Sequence, residues 1–370
     1  MISRLADFYL RIDLRSLGVF RVLLGALLLG DCFERWPNIE AFYTSGGVFA
    51  GLDRPTGPLT LLESFRTLTQ AQGFFIFSAV CYALLLVGYR TRLFHVLSFV
   101  CFMSIVNRTL LVRAGDDLVL ASMLMWTIFL PMGGRFSLDA LQGRNVARPD
   151  HLGGYNLAAF CAVAQIGIIY FCTAFAKSGA MWWDGTAIYY ALQLDQFTRE
   201  LGHFVAGLPM YVIKPMTWAT LAVEILALPM MLSPFFQPYL RRSIVVALCL
   251  LHLGIALTMT LDFFAVKMIA TFALLVRPED WRLIGDAGAR VGESLGRRVP
   301  RGAAVAWRTL QKGWCAFFAP PAPKIFYIGF DGAGGGASTT TTSTSIFTNV
   351  PTYHLGKHRM GVRTDGILIR

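Results

Sequence analysis

The sequence predicts an all-α polytopic membrane protein, a bundle of about eight transmembrane helices with both termini cytoplasmic (N-in/C-in). Three observations carry that expectation. Hydrophobic residues make up 55% of the 370 and charged residues only 15%, against about 25% charged in a soluble domain, and the mean hydropathy is +0.55. The apolar residues run in long continuous stretches, which in hydrocarbon select helices over a closed barrel, each helix satisfying its own backbone. The arginines then fall in alternate connections, as the positive-inside rule requires of a chain that crosses back and forth.

A span needs about 17 to 25 mainly apolar residues. Eight stretches meet or approach this: 17–33, 73–89, 93–108, 117–133, 157–177, 216–236, 243–260 and 263–277, the third and last being short. The first holds Arg21, ends in Asp31-Cys32-Phe33-Glu34-Arg35 and lacks a small-residue cleavage site, so it is expected to stay as a signal anchor. With the N-terminus inside, the inner segments carry Arg4, Arg11 and Arg15, then Arg90 and Arg92, then Arg135, Arg144 and Arg148, then Arg241 and Arg242, and then the tail from Arg277. The outer connections mix signs, Glu34, Glu40, Asp53 and Glu63 offsetting Arg35, Arg54 and Arg66 in the first.

The net charge of +11 concentrates at the end of the chain, where 13 basic and 6 acidic residues follow from Arg277 onward. A basic tail beside a membrane is drawn to anionic lipid by about 1 kcal/mol per Lys or Arg at the surface. The bilayer is therefore the expected partner, and nucleic acid is not. The chain divides into a membrane domain (1–283), a basic juxtamembrane segment (284–328) and a Gly/Ser/Thr-rich tail (329–370). Within the second, 286–319 is patterned as an interfacial amphipathic helix, with Val291, Leu295, Val305, Trp307, Leu310 and Trp314 between arginines. The tail buries too little apolar surface to offset ordering and is predicted to be disordered. No internal repeat suggests a transporter's inverted halves.

The seven cysteines are scattered, without a CxxC or a Cys/His cluster, so buried thiols are expected and neither a disulfide framework nor a metal site is. No GxxxxGK[ST], GxSxG or HExxH occurs.

Ionisable residues within a bilayer are costly and face a partner or a cavity. Here they are Arg21, His95, Glu224, His252, Asp262 and Lys267, with Asn107, Arg108, Arg113, Asp116 and Asp117 at the outer ends of segments three and four. The Asn107–Asp117 connection, Lys177 and Asp262 all emerge on the outer side, which suggests a shared site. Lys177 opens the run Lys177-Ser178-Gly179-Ala180-Met181-Trp182-Trp183-Asp184-Gly185. In a dry, aromatic-lined site a lysine favours its free amine, available as a base. Trp182 and Trp183 would supply the dryness, and Gly185 would let backbone approach a ligand. The other reading is a lysine that snorkels to the headgroups. Asp116 and Asp117 pair with Arg108 or Arg113, hold Lys177 as an ammonium, or cap the fourth span. Arg21 is expected to pair with a carboxylate such as Glu224, and His252 reads as a satisfied core histidine or a pocket residue. Two long outer connections, 34–72 and 178–215, carry aromatics that form either an interfacial belt or a pocket floor.

The order of these elements resembles the HTTM (horizontally transferred transmembrane) domain, shared by vitamin K-dependent gamma-carboxylases and many bacterial proteins. Four stretches carry the resemblance: Ser16-Leu17-Gly18-Val19-Phe20-Arg21 with Gly25; Asn107-Arg108 with Gly115-Asp116-Asp117; Arg135-Phe136-Ser137-Leu138-Asp139-Ala140-Leu141; and Lys177 with Trp182 and Gly185. His252 and Pro278-Glu279-Asp280-Trp281 also fit, and the coverage is about 1–283. The resemblance implies that Lys177 is the base that deprotonates reduced vitamin K or another quinol, driving carboxylation of a glutamate γ-carbon. Two features depart from the carboxylase. No histidine lies between Asn107 and Asp117, where Asp116 stands instead, and a short basic tail replaces the large extracytoplasmic region.

Two functions are thus expected. One is a carboxylase-like enzyme of a bacterial-type inner membrane, with Lys177 catalytic and a quinol pocket drawn from Asn107, Arg108, Asp116, Asp117, Trp182, Trp183, Gly185 and His252, Arg21 and Glu224 being structural. The other is a non-catalytic membrane protein that binds a lipid, a quinone or a protein partner, as in toxin export or immunity.

Overall fold

The computed structural model describes residues 2–48, 60–108, 110–143, 152–296, 327–330 and 337–340. Its body is all-α. The chain begins with α1 (Ile2–Leu10) and α2 (Leu14–Arg35), continued by a 3-10 turn at Trp36–Asn38 and α3 (Ile39–Tyr43). Next come α4 (Leu68–Val87), α5 (Thr91–Arg108), α6 (Gly115–Thr127) and the short α7 (Leu138–Leu141). After α8 (Leu157–Ala176), three short helices, α9 (Ala180–Trp183), α10 (Ala187–Ala191) and α11 (Glu200–Ala206), lead to α12 (Met210–Leu232). The body ends with α13 (Tyr239–Thr258), α14 (Phe264–Thr271) with its 3-10 extension Phe272–Leu275, and α15 (Pro278–Gly296).

Helices stand at all eight expected segments. Five are long and apolar enough to cross a membrane by length and composition: α2 with its extension to Tyr43, α4, α8, α12 and α13. Phe264–Leu275 is a shorter apolar helix. The segment expected at 117–133 stops at Thr127, short of Pro131, which has no N–H to donate, and of Gly133-Gly134.

Local chemistry sets the ends. Asp13 caps α2 by accepting the Arg15 N–H, and the Asp13 carboxylate also pairs with the buried Arg15 guanidinium at 2.7 Å. Thr67 and Gln70 form a reciprocal capping box at α4. The Asp139 carboxylate accepts from Arg90 N, Thr91 N and Thr91 Oγ1, fixing the turn between α4 and α5. The 135–141 stretch is therefore an architectural latch.

Arg21 belongs to the same latch, which corrects its expected pairing with Glu224. Its side chain is fully buried and donates to the carbonyls of Leu85 (2.7 Å), Leu86 and Phe136 (2.5 Å). Arg21 lies beside the last turn of α4, whose terminal carbonyls lack intrahelical partners, whereas Glu224 is taken by another cation.

The core joins α2 and α4 to α6, α8, α12 and α13 through Phe20, Leu24, Leu28, Phe75, Leu120, Leu124, Ile166, Tyr170, Met231 and Leu248. α8 and α12 pack closely because Gly167 has no side chain where a Cβ would lie 3.0 Å from the Leu228 Cα. Among the cysteines, Cys32, Cys81 and Cys101 are buried, but Cys172 is exposed on α8, which corrects the expectation that all are buried.

The boundary placed at 283 falls inside α15, and the helix expected at 286–319 starts earlier, at Pro278, a favoured residue for a first turn; residues 297–319 lie outside the described residues. In the tail, β1 (Tyr327–Phe330) and β2 (Ala337–Thr340) pair antiparallel, Tyr327 opposite Thr340 and Phe330 opposite Ala337. This short ladder stands partly within the stretch predicted to be disordered, the rest of which lies outside the described residues.

Candidate functional site

The last turn of α2 places Asp31 and Arg35 four residues apart on one face. Arg35 grips Asp31 with two nitrogens, Nε to Oδ2 at 2.7 Å and Nη2 to Oδ1 at 3.0 Å. The same guanidinium reaches both oxygens of Asp117 at 3.0 Å and the Tyr43 hydroxyl at 3.1 Å. From α14, Lys267 enters the cluster with Nζ 2.8 Å from Asp116 Oδ2, 3.1 Å from Asp117 Oδ1 and 3.2 Å from Asp31 Oδ1. Asp117 also accepts the Ala114 N–H at the start of α6.

Asp31, Asp116, Asp117 and Lys267 are all buried, Asp117 completely. Charges this deep are tolerated only when paired and hydrogen-bonded, and three carboxylates here share two cations. Beside this network lies a cavity of about 340 Å³, lined also by Glu34, Asn38, Phe42, Ala114, Leu261, Asp262 and Phe264. Glu34 and Asp262 are exposed at its rim. Asp262 has φ of +32°, in the left-handed region that aspartate enters more readily than most non-glycine residues.

A second polar group stands at the same end of the bundle. Lys177 caps the C-terminus of α8, and its Nζ donates to both carboxylate oxygens of Glu224 on α12, at 2.5 Å to Oε1. The ammonium also lies 5.2 Å from the ring centre of Trp182, within cation–π range. Behind this pair the Tyr170 hydroxyl and His252 Nε2 are 2.7 Å apart. His252 Nδ1 has no hydrogen-bond partner among the described residues. The His252 ring contacts Phe264 at 5.4 Å between centres, and Phe264 lines the cavity. One aromatic side chain thus separates the two polar groups.

The expected residues fall into three sets. Asp116 and Asp117 line the cavity, but they hold Lys267 and Arg35 rather than Arg108, Arg113 or Lys177, because α14 and the end of α2 pack against the start of α6. Arg113 instead donates to Asn107 at 3.3 Å. Asn107 and Arg108 are buried at the end of α5 and do not line the cavity.

Lys177, Trp182 and His252 cluster beside the cavity rather than in it. Trp183 is 73% exposed, with its Nε1–H donated to Ser178 O and its carbonyl accepting from Trp218, so it does not dry the Lys177 amine. Gly185, expected to face a ligand, has φ of +82° and approaches Lys214 of α12, where a Cβ would stand 2.9 Å from the Lys214 Cβ. Just before it, the exposed Asp184 carboxylate accepts from Thr186 N and Oγ1, which holds its carboxyl below the usual range. The turn is a folding element.

Sequence reasoning missed Asp31, Arg35 and Tyr43, and it named Lys267 and Asp262 without finding Lys267's partners. The i,i+4 spacing of Asp31 and Arg35 at the end of an apolar run was the available signal. A lysine inside a short apolar segment was the other.

The cavity sets polar and apolar groups side by side. The Tyr43 hydroxyl, which accepts from Arg35, still has its own proton to donate, the carboxylates offer acceptors, and Phe42 and Phe264 offer an apolar wall. No curated protein and no solved structure matches the chain. The family model described as HTTM domain matches residues 9–281, which takes in every helix of both polar groups. With that match and its long apolar helices, the chain belongs to the HTTM domain family and is an integral membrane protein.

Proposed function

We propose that this protein binds an amphiphile of the lipid or quinone type, whose polar head enters the cavity framed by Asp31, Arg35, Asp116, Asp117 and Lys267, and that Lys177 does not act as a base. The observation that carries this reading is the engagement of the Lys177 ammonium by Glu224 and Trp182. A base must be free to reach its substrate, and this amine is already occupied by both oxygens of a carboxylate and by the face of an indole. The cavity is of a size that holds a small ligand or a head group. The arginine distribution supports an N-in/C-in arrangement in a bacterial-type inner membrane, with the cavity opening outward.

The carboxylase-like reading keeps two observations in its favour. Lys177, Trp182 and Gly185 stand in the spacing of the carboxylase element, and His252 and Tyr170 lie near the amine. Two measurements separate the readings. Mass spectrometry of the purified protein is expected to find a lipid or quinone that is lost in Lys267→Met and kept in Lys177→Ala. Vitamin K epoxide formation in membranes carrying the wild type is expected to be absent. Turnover abolished by Lys177→Ala would restore the base.

A further inference from the structure

A second cavity lies at the opposite end of α2 from the first and is independent of the function proposed above. It is a niche of about 20 Å³ lined by Phe8, Arg11, Asp13, Leu152, Arg241 and Arg277, among others. That is room for about one water or one phosphoryl oxygen.

Two guanidinium groups share one ring there. Arg241 lies 4.6 Å and Arg277 4.9 Å from the centre of Phe8. Arg241 is only 6% exposed. Its Nη2 donates to Met231 O at 2.9 Å, but its Nε has no partner, and no carboxylate pairs with it among the described residues.

The neighbouring acids are committed elsewhere. Asp13 holds Arg15, Asp7 holds Arg11 at 3.0 Å, and Asp280 takes Arg242 Nε at 2.5 Å and the Arg277 N–H at 2.9 Å. Glu279, half exposed, is 3.5 Å from Arg277. Arg277 thus has one half-exposed partner, whereas the buried Arg241 has no carboxylate among the described residues and is left in need of a counter-charge. A planar guanidinium with a free Nε–H matches two oxygens of a phosphate.

We infer that this niche binds a phosphate group, with one oxygen inserted between Arg241 and Arg277. The source is the head group of an anionic lipid or free phosphate. The lipid fits the location, because the niche sits where α2, α8 and α13 begin, at the end of the spans that carries Arg11, Arg15, Arg241, Arg242 and Arg277.

The test is native mass spectrometry of the full chain in detergent with dioctanoyl phosphatidylglycerol, dioctanoyl glycerol and inorganic phosphate as probes. Phosphatidylglycerol is expected to bind roughly tenfold or more tightly than the phosphate-free lipid, and Arg277→Gln to lose roughly tenfold of that affinity. Displacement of phosphatidylglycerol by equimolar inorganic phosphate would identify free phosphate as the source; its retention would identify the lipid. Arg277 and Phe8 are partly exposed, so Arg277→Gln and Phe8→Leu keep the test open where Arg241→Gln fails to fold. Equal retention of the two lipids, or phosphatidylglycerol affinity unchanged in both variants, would overturn the inference.

Discussion

Lys267 and Asp117, 150 residues apart in the chain, are brought within 3.1 Å, and the same carboxylate is shared with Arg35. Three segments, the end of α2, the start of α6 and the start of α14, are therefore tied at one point. The tie is electrostatic in a place where apolar packing would have been cheaper. That expense is the ground on which the cavity beside it is proposed as a site.

Removing the ammonium tests the tie. Lys267→Met keeps the volume but leaves Asp31, Asp116 and Asp117 with one cation among three buried carboxylates. The expected loss is about 3–5 kcal/mol in unfolding free energy, read from denaturation in mixed micelles. The double variant Lys267→Met/Asp116→Asn is expected to recover part of it by removing one unpaired charge. An unchanged midpoint in Lys267→Met would mean that the cluster is not formed.

The Lys177–Glu224 pair is expected to show coupling of about 1–3 kcal/mol in a double-mutant cycle of Lys177→Met and Glu224→Gln. Glu224→Gln is predicted to cost more than Lys177→Met removes in the double variant's background, since Glu224 is the more buried partner and Lys177 is about a quarter exposed. Strict additivity of the two substitutions would show that the ammonium spends its time elsewhere and would return Lys177 to the list of candidate bases.

Much of the architecture was legible because it depends on local sequence. α8 runs from Leu157 to Ala176, one residue short of expectation, since its boundaries are set by a long apolar run and by Asn156 as a cap. The candidate site was legible only in part. Asp116 and Asp117 were found because carboxylates beside a span are conspicuous. Their partners were not, because which face of α2 or α14 turns toward α6 depends on the rotation of each helix, and continuous apolar spans carry little periodicity to fix it. The same rotation decides that Glu224 meets Lys177 and not Arg21. Gly185 was noticed for a functional reason and turned out to matter for a backbone one.

Gly185→Ala isolates that backbone role. The residue has φ of +82°, and an added Cβ would meet the Cα, Cβ and Cγ of Lys214 at 2.9–3.1 Å. The left-handed conformation alone costs about 1–3 kcal/mol for a non-glycine residue. Lys214→Ala should not rescue it, because the Cα and Cβ that clash remain. Thermal unfolding followed by tryptophan fluorescence, which reports on Trp182, Trp183 and Trp218 around this turn, is expected to show a lowered midpoint for Gly185→Ala and for the double variant alike. Wild-type behaviour in Gly185→Ala would mean that the turn relaxes away from α12.

Arg21 gives the strictest test of the latch. Its fully buried guanidinium serves the carbonyls of Leu85, Leu86 and Phe136, which lie on two separate segments and need donors spread across a planar fork. Arg21→Lys supplies charge without that spread, so it is expected to fail nearly as badly as Arg21→Gln, each leaving carbonyls unsatisfied at about 1–3 kcal/mol apiece. The yield of monodisperse protein after detergent extraction, with unfolding midpoints for whatever is recovered, distinguishes the two possibilities. If Arg21→Lys matches the wild type, positive charge alone is what α4 and the 135–141 stretch require, and the fork geometry carries no weight.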